Sequence, residues 1–390
     1  MGVPYYLWIT LQILVGYNLV FPFFLYVVWK IVPKTKSSNS NNAQLDYGII
    51  VTAYEQIHTL PAVVASILKL NYENYLVYIV ADKCDITTLV FNDPRVIVLR
   101  PPLTLASNTK SHKYALENFK RNHDCITIID SDNLVDKDYL TELNMVFSKG
   151  YSAVQGVREA KNLNTTYACL DAARDIYYHF YDGKLLFEVG SSATLAGSGM
   201  GFKTKLYEEF LEENQVSGAG FDKVLQAWLL KKQYQIAFCE TAVVFDEKTT
   251  MSAQLVQQRS RWINTWFKYF SFGFKIFGLG LKNLNWNQLL FGVVLLRPPL
   301  FLFLIASMIL LFINVVTFNF FAVFVWGLSF FLFVFFFLFS LSRYKTDPRI
   351  YKSLINIPNF IFFQILSLLK ARKANKISVA TKHSYNKDNP

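Results

Sequence analysis

The chain has 390 residues, 53% of them hydrophobic and 17% aromatic, with 36 phenylalanines, a mean hydropathy of +0.25 and a formal net charge of +11. That apolar content is high for a wholly soluble protein, and the length leaves room for one large catalytic domain plus membrane segments. The cysteines at 84, 125, 169 and 239 stand singly, without zinc or disulfide spacing, and the basic charge gathers beside apolar runs, pointing to lipid headgroups rather than nucleic acid.

Tyr5 to Val32 is almost continuously apolar, with no charge before Lys30. About 20 such residues span a bilayer, so residues 1–33 read as an amino-terminal membrane helix. Lys30, Lys34 and Lys36 place the carboxyl-terminal end of this helix on the cytoplasmic side. Residues 34–46, containing KTKSSNSNN, read as a solvated linker. Short apolar runs rich in β-branched residues then appear at 48–53, 75–81, 95–99 and 125–130. Each is too short for a span and suits a strand buried on both faces. Helical patterns at 57–70 and 107–121 lie between them, and this alternation predicts a parallel α/β sheet, with ligands at the carboxyl ends of its strands. The catalytic region is expected over 47–261 and interfacial helices over 262–297, where Trp, Phe and Tyr mix with Lys268, Lys275 and Lys282. Runs at 300–316 and 320–341 predict a membrane hairpin within 298–342, flanked by Arg297, Arg343 and Lys345 on one side. Three crossings result, with the amino terminus outside and the catalytic domain cytoplasmic. Residues 343–390 read as a basic cytoplasmic tail whose weakly amphipathic stretch 355–369, followed by Lys370, Arg372, Lys373 and Lys376, touches the lipid surface.

Several residues are placed for chemistry. Asp130-Ser131-Asp132 leaves the carboxyl end of a predicted central strand. Paired carboxylates there suit Mg²⁺ or Mn²⁺, although a turn or helix cap uses the same residues. Asp82 ends another strand, where it can accept from a nucleobase or ribose, or cap the next helix. Lys110 and Lys113 either meet phosphate or sit on a solvated face. Gly197-Ser198-Gly199-Met200-Gly201 lets backbone approach a ligand, or simply turns tightly. Asp222 precedes a helical run, as a cap or as a base for an acceptor hydroxyl. Asp246-Glu247-Lys248 reads as a surface ion pair. In Gln258-Arg259-Ser260-Arg261-Trp262, arginine suits phosphate and tryptophan suits a sugar ring, and an interfacial anchor is the plainer alternative.

Taken in order, an Asp after the second strand, D-x-D, a G-S-G loop, an acid before a helix and Q-x-x-R-W resemble the membrane-bound family 2 glycosyltransferases, which include cellulose, chitin and hyaluronan synthases. The resemblance covers about 47–341. It implies a GT-A fold, a Rossmann-like nucleotide-sugar domain with transmembrane and interfacial helices. It implies that Asp82, Asp130 and Arg261 bind the nucleotide-sugar donor, Asp82 through the uracil of a UDP-sugar, and Lys110 is placed with them as a phosphate contact. Asp130 and Asp132 would hold the metal, and Asp222 would be the general base. Gly197, Ser198, Gly199, Gln258 and Trp262 would face the acceptor. The expected reaction is inverting transfer of a sugar from a UDP-sugar to a hydroxyl during polysaccharide synthesis at the membrane. Transfer of one sugar to a lipid acceptor, and an inactive nucleotide-binding subunit, are the other readings. Membrane lipids are expected partners and nucleic acid is not.

Overall fold

A computed structural model describes residues 3–32, 44–216 and 218–372. Most of the linker and the tail lysines 373 and 376 fall outside them.

An eight-stranded sheet organises the catalytic domain. Its strands are β1 (Tyr47–Tyr54), β2 (Tyr75–Asp82), β3 (Val96–Leu99), β4 (Cys125–Asp130), β5 (Leu134–Val135), β6 (Ala153–Ala160), β7 (Met200–Lys203) and β8 (Ile236–Asp246). They lie in the order β3-β2-β1-β4-β7-β6-β8-β5. The first four are mutually parallel, and β7 runs antiparallel to both β4 and β6. The predicted strands are therefore the parallel half of a mixed, Rossmann-like sheet. Alternate residues explain their continuous hydrophobicity. Ile49, Val51 and Ile79 pack towards helices Leu60–Ile67 and Tyr139–Phe147, while Ile50, Tyr78 and Ile128 pack towards Ala115, Phe202 and Phe210. Both faces are covered, so neither alternates with polar residues. The two helices predicted at 57–70 and 107–121 are shorter, Leu60–Ile67 and Asn108–Glu117.

Register fixes the rim. Thr52 of β1 pairs with Asp130 of β4, and Tyr54 pairs with Asp82 of β2. The carboxyl ends of three neighbouring strands thus open at one level.

Among the described residues, three helices are long and apolar enough to cross a membrane: Pro4–Ile31, Phe320–Ser342 and Pro348–Ala371. Trp286–Leu296 and Leu300–Val316, bent by 73°, make a fourth candidate together. The first arm of the predicted hairpin is therefore the second half of a bent pair. Polar contacts tie these helices together: Gln12 Oε1 accepts from Asn314 Nδ2 (2.7 Å) and from Trp326 Nε1 (2.9 Å). Such bonds act as helix-to-helix glue where water is scarce. Phe320, Phe321, Phe324 and Phe331 point outward, as lipid-facing side chains do. Pro348–Ala371 lies against helix Ser252–Tyr269, where Ile263 packs with Ala371 and Phe301, and Asn264 Nδ2 donates to the Ala371 carbonyl (2.9 Å). Trp29 Nε1 donates to Glu188 Oε2 (2.5 Å), joining the first helix to the catalytic domain.

Candidate active site

A cavity of about 680 Å³ opens at the carboxyl rim of the sheet. Thr52, Tyr54, Asp130, Ser131 and Asp132 form its sheet side. Asp222 and Gln226 face them from helix Phe221–Lys231, and Gln258, Arg261 and Trp262 from helix Ser252–Tyr269. Gly197 closes one edge. Seven of the residues expected to serve as donor, metal, acceptor or base positions, Asp130, Asp132, Gly197, Asp222, Gln258, Arg261 and Trp262, therefore meet in one space.

The glycine loop and the paired carboxylates form one unit. Gly197 and Gly199 have φ of +90° and +67°, which favour glycine. Between them Ser198 is fully buried, and its Oγ accepts from the Asp130 main-chain N–H (3.1 Å). Asn133 lies 2.8 Å from the same hydroxyl. With its amide oxygen turned to Ser198, its nitrogen donates to Asp132 Oδ1 and Asp246 Oδ1, each at 3.2 Å. Ser198 therefore supports the carboxylate turn from behind, Gly199 pairs with the Ile128 carbonyl, and neither lines the cavity.

Asp222 is not the cap of its helix. Gly220 holds that position with φ +96°, and no side chain among the described residues caps the terminus. A Cβ on Gly220 would stand 2.5 Å from Thr265 and 2.8 Å from Tyr269. The missing side chain lets helix Ser252–Tyr269 close against the start of the Asp222 helix. Phe221 is buried with its ring 5.3 Å from that of His112. Lys223 Nζ lies 3.3 Å from the Asp222 carboxylate.

Asp82 and Lys110 stand off the cavity wall. Asp82 is buried, and its two oxygens accept from the main-chain N–H groups of Leu105 (2.9 Å) and Ala106 (2.7 Å). It holds the loop before helix Asn108–Glu117. Lys110 is solvent-exposed on that helix, whereas Asn108 reaches the cavity.

The reading of Asp246-Glu247-Lys248 as a surface pair is corrected. Asp246 bonds Arg158 (2.7 Å) and Lys248 (2.8 Å), and Lys248, only 2% exposed, also holds Asp175. Asp175 pairs with Arg174 (2.6 Å), Arg174 approaches Asp171 (3.3 Å), and Asp171 pairs with Arg259. This buried chain of alternating charge runs from the rim of β8 to the Gln258–Trp262 segment. Burial opposes ionisation of Asp246, but Arg158 and Lys248 outweigh it and hold its carboxyl below the usual range. Asp130 goes the other way: burial, then the neighbouring Asp132 carboxylate, push it up to about 7. Arg261 is lowered by burial.

Sequence reasoning missed Arg158, Arg174, His179, Asp182 and Gln226, all on the cavity wall. His179 and Asp182 lie in a π-helical segment, His179–Leu185, which has no apolar period to mark it. Burial lowers His179 to about 4. Arg297, read as a topological charge, makes a bidentate pair with Asp182 (2.6 Å twice). Its guanidinium also lies 4.7 Å from the Tyr178 ring and 5.0 Å from the Tyr181 ring. Long-range pairs of this kind leave no trace in local spacing.

A Rossmann-like sheet with flanking helices and paired carboxylates at its carboxyl rim is the GT-A arrangement of nucleotide-sugar-dependent transferases. Residues 44–265, more than half of the chain, match the family described as "Glycosyltransferase like family 2", and the chain belongs to that family. No curated protein matches it. Among solved structures it is similar to the mannosyltransferase PcManGT of Pyrobaculum calidifontis in complex with GDP-Man and Mn²⁺, at 10% identity and a TM-score of 0.56, covering 93% of this chain and 98% of that one. Similarity to TarS 1-349 of S. aureus in complex with UDP-GlcNAc is at 14% identity and a TM-score of 0.40, covering 60% of this chain and 67% of that one.

Proposed function

We propose that the protein transfers a sugar, with inversion, from a UDP-sugar to a hydroxyl of a growing polysaccharide at the membrane. The observation that carries this reading is that Asp130 and Asp132 share one cavity with Asp222, Arg261 and Trp262. The donor diphosphate lies against Asp130-Ser131-Asp132, within reach of Arg261, whose fork suits phosphate oxygens. Asp222 accepts the proton of the acceptor hydroxyl as its oxygen attacks the anomeric carbon and the C–O bond to the diphosphate breaks. One carboxylate base without an enzyme nucleophile gives a single displacement, hence inversion.

A divalent cation fits the donor side. No cluster of three or more ligating side chains occurs among the described residues, but Mg²⁺ typically takes one or two carboxylates plus substrate phosphates and water. Asp130 and Asp132 supply the two, both on the sheet side of the cavity. Held there, Mg²⁺ or Mn²⁺ would neutralise charge on the departing diphosphate.

A second reading, one transfer to a lipid acceptor, draws on the apolar end of the cavity. Phe270, Phe272, Val294, Leu295, Pro298 and Pro299 carry its wall up to the start of helix Leu300–Val316. Lys30, Arg343 and Lys345 beside the apolar helices support a cytoplasmic catalytic domain. Membranes containing the protein, given UDP-, GDP- and dTDP-sugars in turn, test the reading by nucleotide release. Release with a UDP-sugar is expected, and a GDP- or dTDP-sugar preference corrects the donor. Silence with all three leaves the inactive-subunit alternative. Product length on a gel separates polymer from single transfer.

A further inference from the structure

Gln226 lies four residues beyond Asp222 on helix Phe221–Lys231, so both sit on one helix face, and both line the cavity. Its side chain is fully buried. Gln226 Oε1 accepts from the main-chain N–H of Leu195 (3.1 Å), which fixes the amide's orientation and sends Nε2 the other way. That nitrogen has no hydrogen-bond partner among the described residues. Gln155, equally enclosed, makes the contrast. It holds the next N–H of the same loop, that of Ala196 (2.8 Å), and its own Nε2 donates to the carbonyls of Gly156 (3.0 Å) and Ser198 (3.1 Å). One glutamine is satisfied by the fold. The other keeps a donor in reserve, and a buried donor left without a partner is destabilising until something accepts from it.

We infer that Gln226 Nε2 donates to a second oxygen of the acceptor sugar whose attacking hydroxyl faces Asp222. The inference rests on the functional reading above and sharpens it: the acceptor ends in a sugar ring, not in a bare lipid alcohol or phosphate. Four residues advance a helix by about 6 Å, and with side chains of unequal length Asp222 and Gln226 reach two oxygens of one ring. Gln226 is thus a specificity-determining residue. It needs no charge, because it recognises an uncharged hydroxyl or ring oxygen.

The test uses the full chain in membranes with a labelled UDP-sugar, and reads the ratio of sugar built into product to sugar released by hydrolysis. Gln226→Met should shift that ratio at least tenfold towards hydrolysis, with the apparent KM for the donor within twofold of wild type. A wild-type ratio overturns the inference: with total turnover unchanged, Nε2 meets only a buried water, and with both arms falling together, Gln226 merely supports the Leu195 loop. Should Gln226→Met fail to fold, Gln226→Glu keeps the oxygen that accepts from Leu195 and is read the same way. A wild-type protein that builds no glycosylated product sinks the functional reading itself, and this inference with it.

Discussion

The guanidinium of Arg259 stacks on the indole of Trp262, with its Cζ 4.1 Å from the ring centroid. Arg174 approaches the same ring at 4.6 Å, and both arginines hold Asp171. Trp262 is therefore set by the last links of the buried ion chain, while it lines the cavity and stays 39% exposed.

A ring fixed in this way suits the proposed acceptor platform. Trp262→Ala should cut transfer to the acceptor by about 10²-fold, because rate depends steeply on orientation, while metal-dependent UDP binding persists. Trp262→Phe should restore part of it. Normal transfer by Trp262→Ala together with weakened membrane attachment would favour the interfacial-anchor reading.

Lys248 bridges Asp175 and Asp246 in the interior. Lys248→Met leaves both carboxylates without that cation, and breaking a buried pair costs about 3–5 kcal/mol. Heat inactivation in detergent should occur at a clearly lower temperature than for wild type. An unchanged inactivation temperature would mean that the remaining arginines suffice.

Chelation should abolish transfer, and Mg²⁺ or Mn²⁺ should restore it. Asp132→Ala should weaken UDP binding as well as turnover, since Asp132 lines the cavity and is a proposed cation ligand for the donor diphosphate. Full activity in chelator would remove the cation from the account.

The four native cysteines are buried, so one introduced cysteine can be read by a membrane-impermeant reagent. Lys205→Cys, on the exposed surface of helix Thr204–Glu213, and Phe318→Cys, in the turn before helix Phe320–Ser342, should label from opposite sides of the membrane. Labelling of both from one side would break the proposed topology.

What the sequence made legible was local. Ile49 to Ala53 and Cys125 to Ile129 announce strands because parallel strands covered on both faces are apolar throughout. Asp130, Asp132 and Asp222 stand out because a carboxylate at the edge of an apolar element has no packing reason to be there. Ser198 differs in kind from its expected place at the acceptor: it buttresses Asp130 from behind. Lys248 reads as exposed because its partner Asp175 lies 73 residues away, and the Asp182–Arg297 pair closes across 115. Burial of charge is decided by tertiary partners, which spacing does not encode. Arg261 and Trp262 are visible as a motif with Arg259 between Gln258 and Ser260, but nothing in the sequence marks Arg174 as the second arginine over the ring.

The central claim is that Asp222 performs the proton transfer in a cavity that binds the donor through other residues. Its most direct test compares Asp222→Asn with wild type in both UDP affinity and sugar transfer. Asparagine keeps the size of the side chain and cannot take the proton, so the account predicts near-wild-type UDP affinity with transfer reduced by about 10²-fold or more. Near-normal transfer by Asp222→Asn would contradict it and place the base elsewhere on the cavity wall.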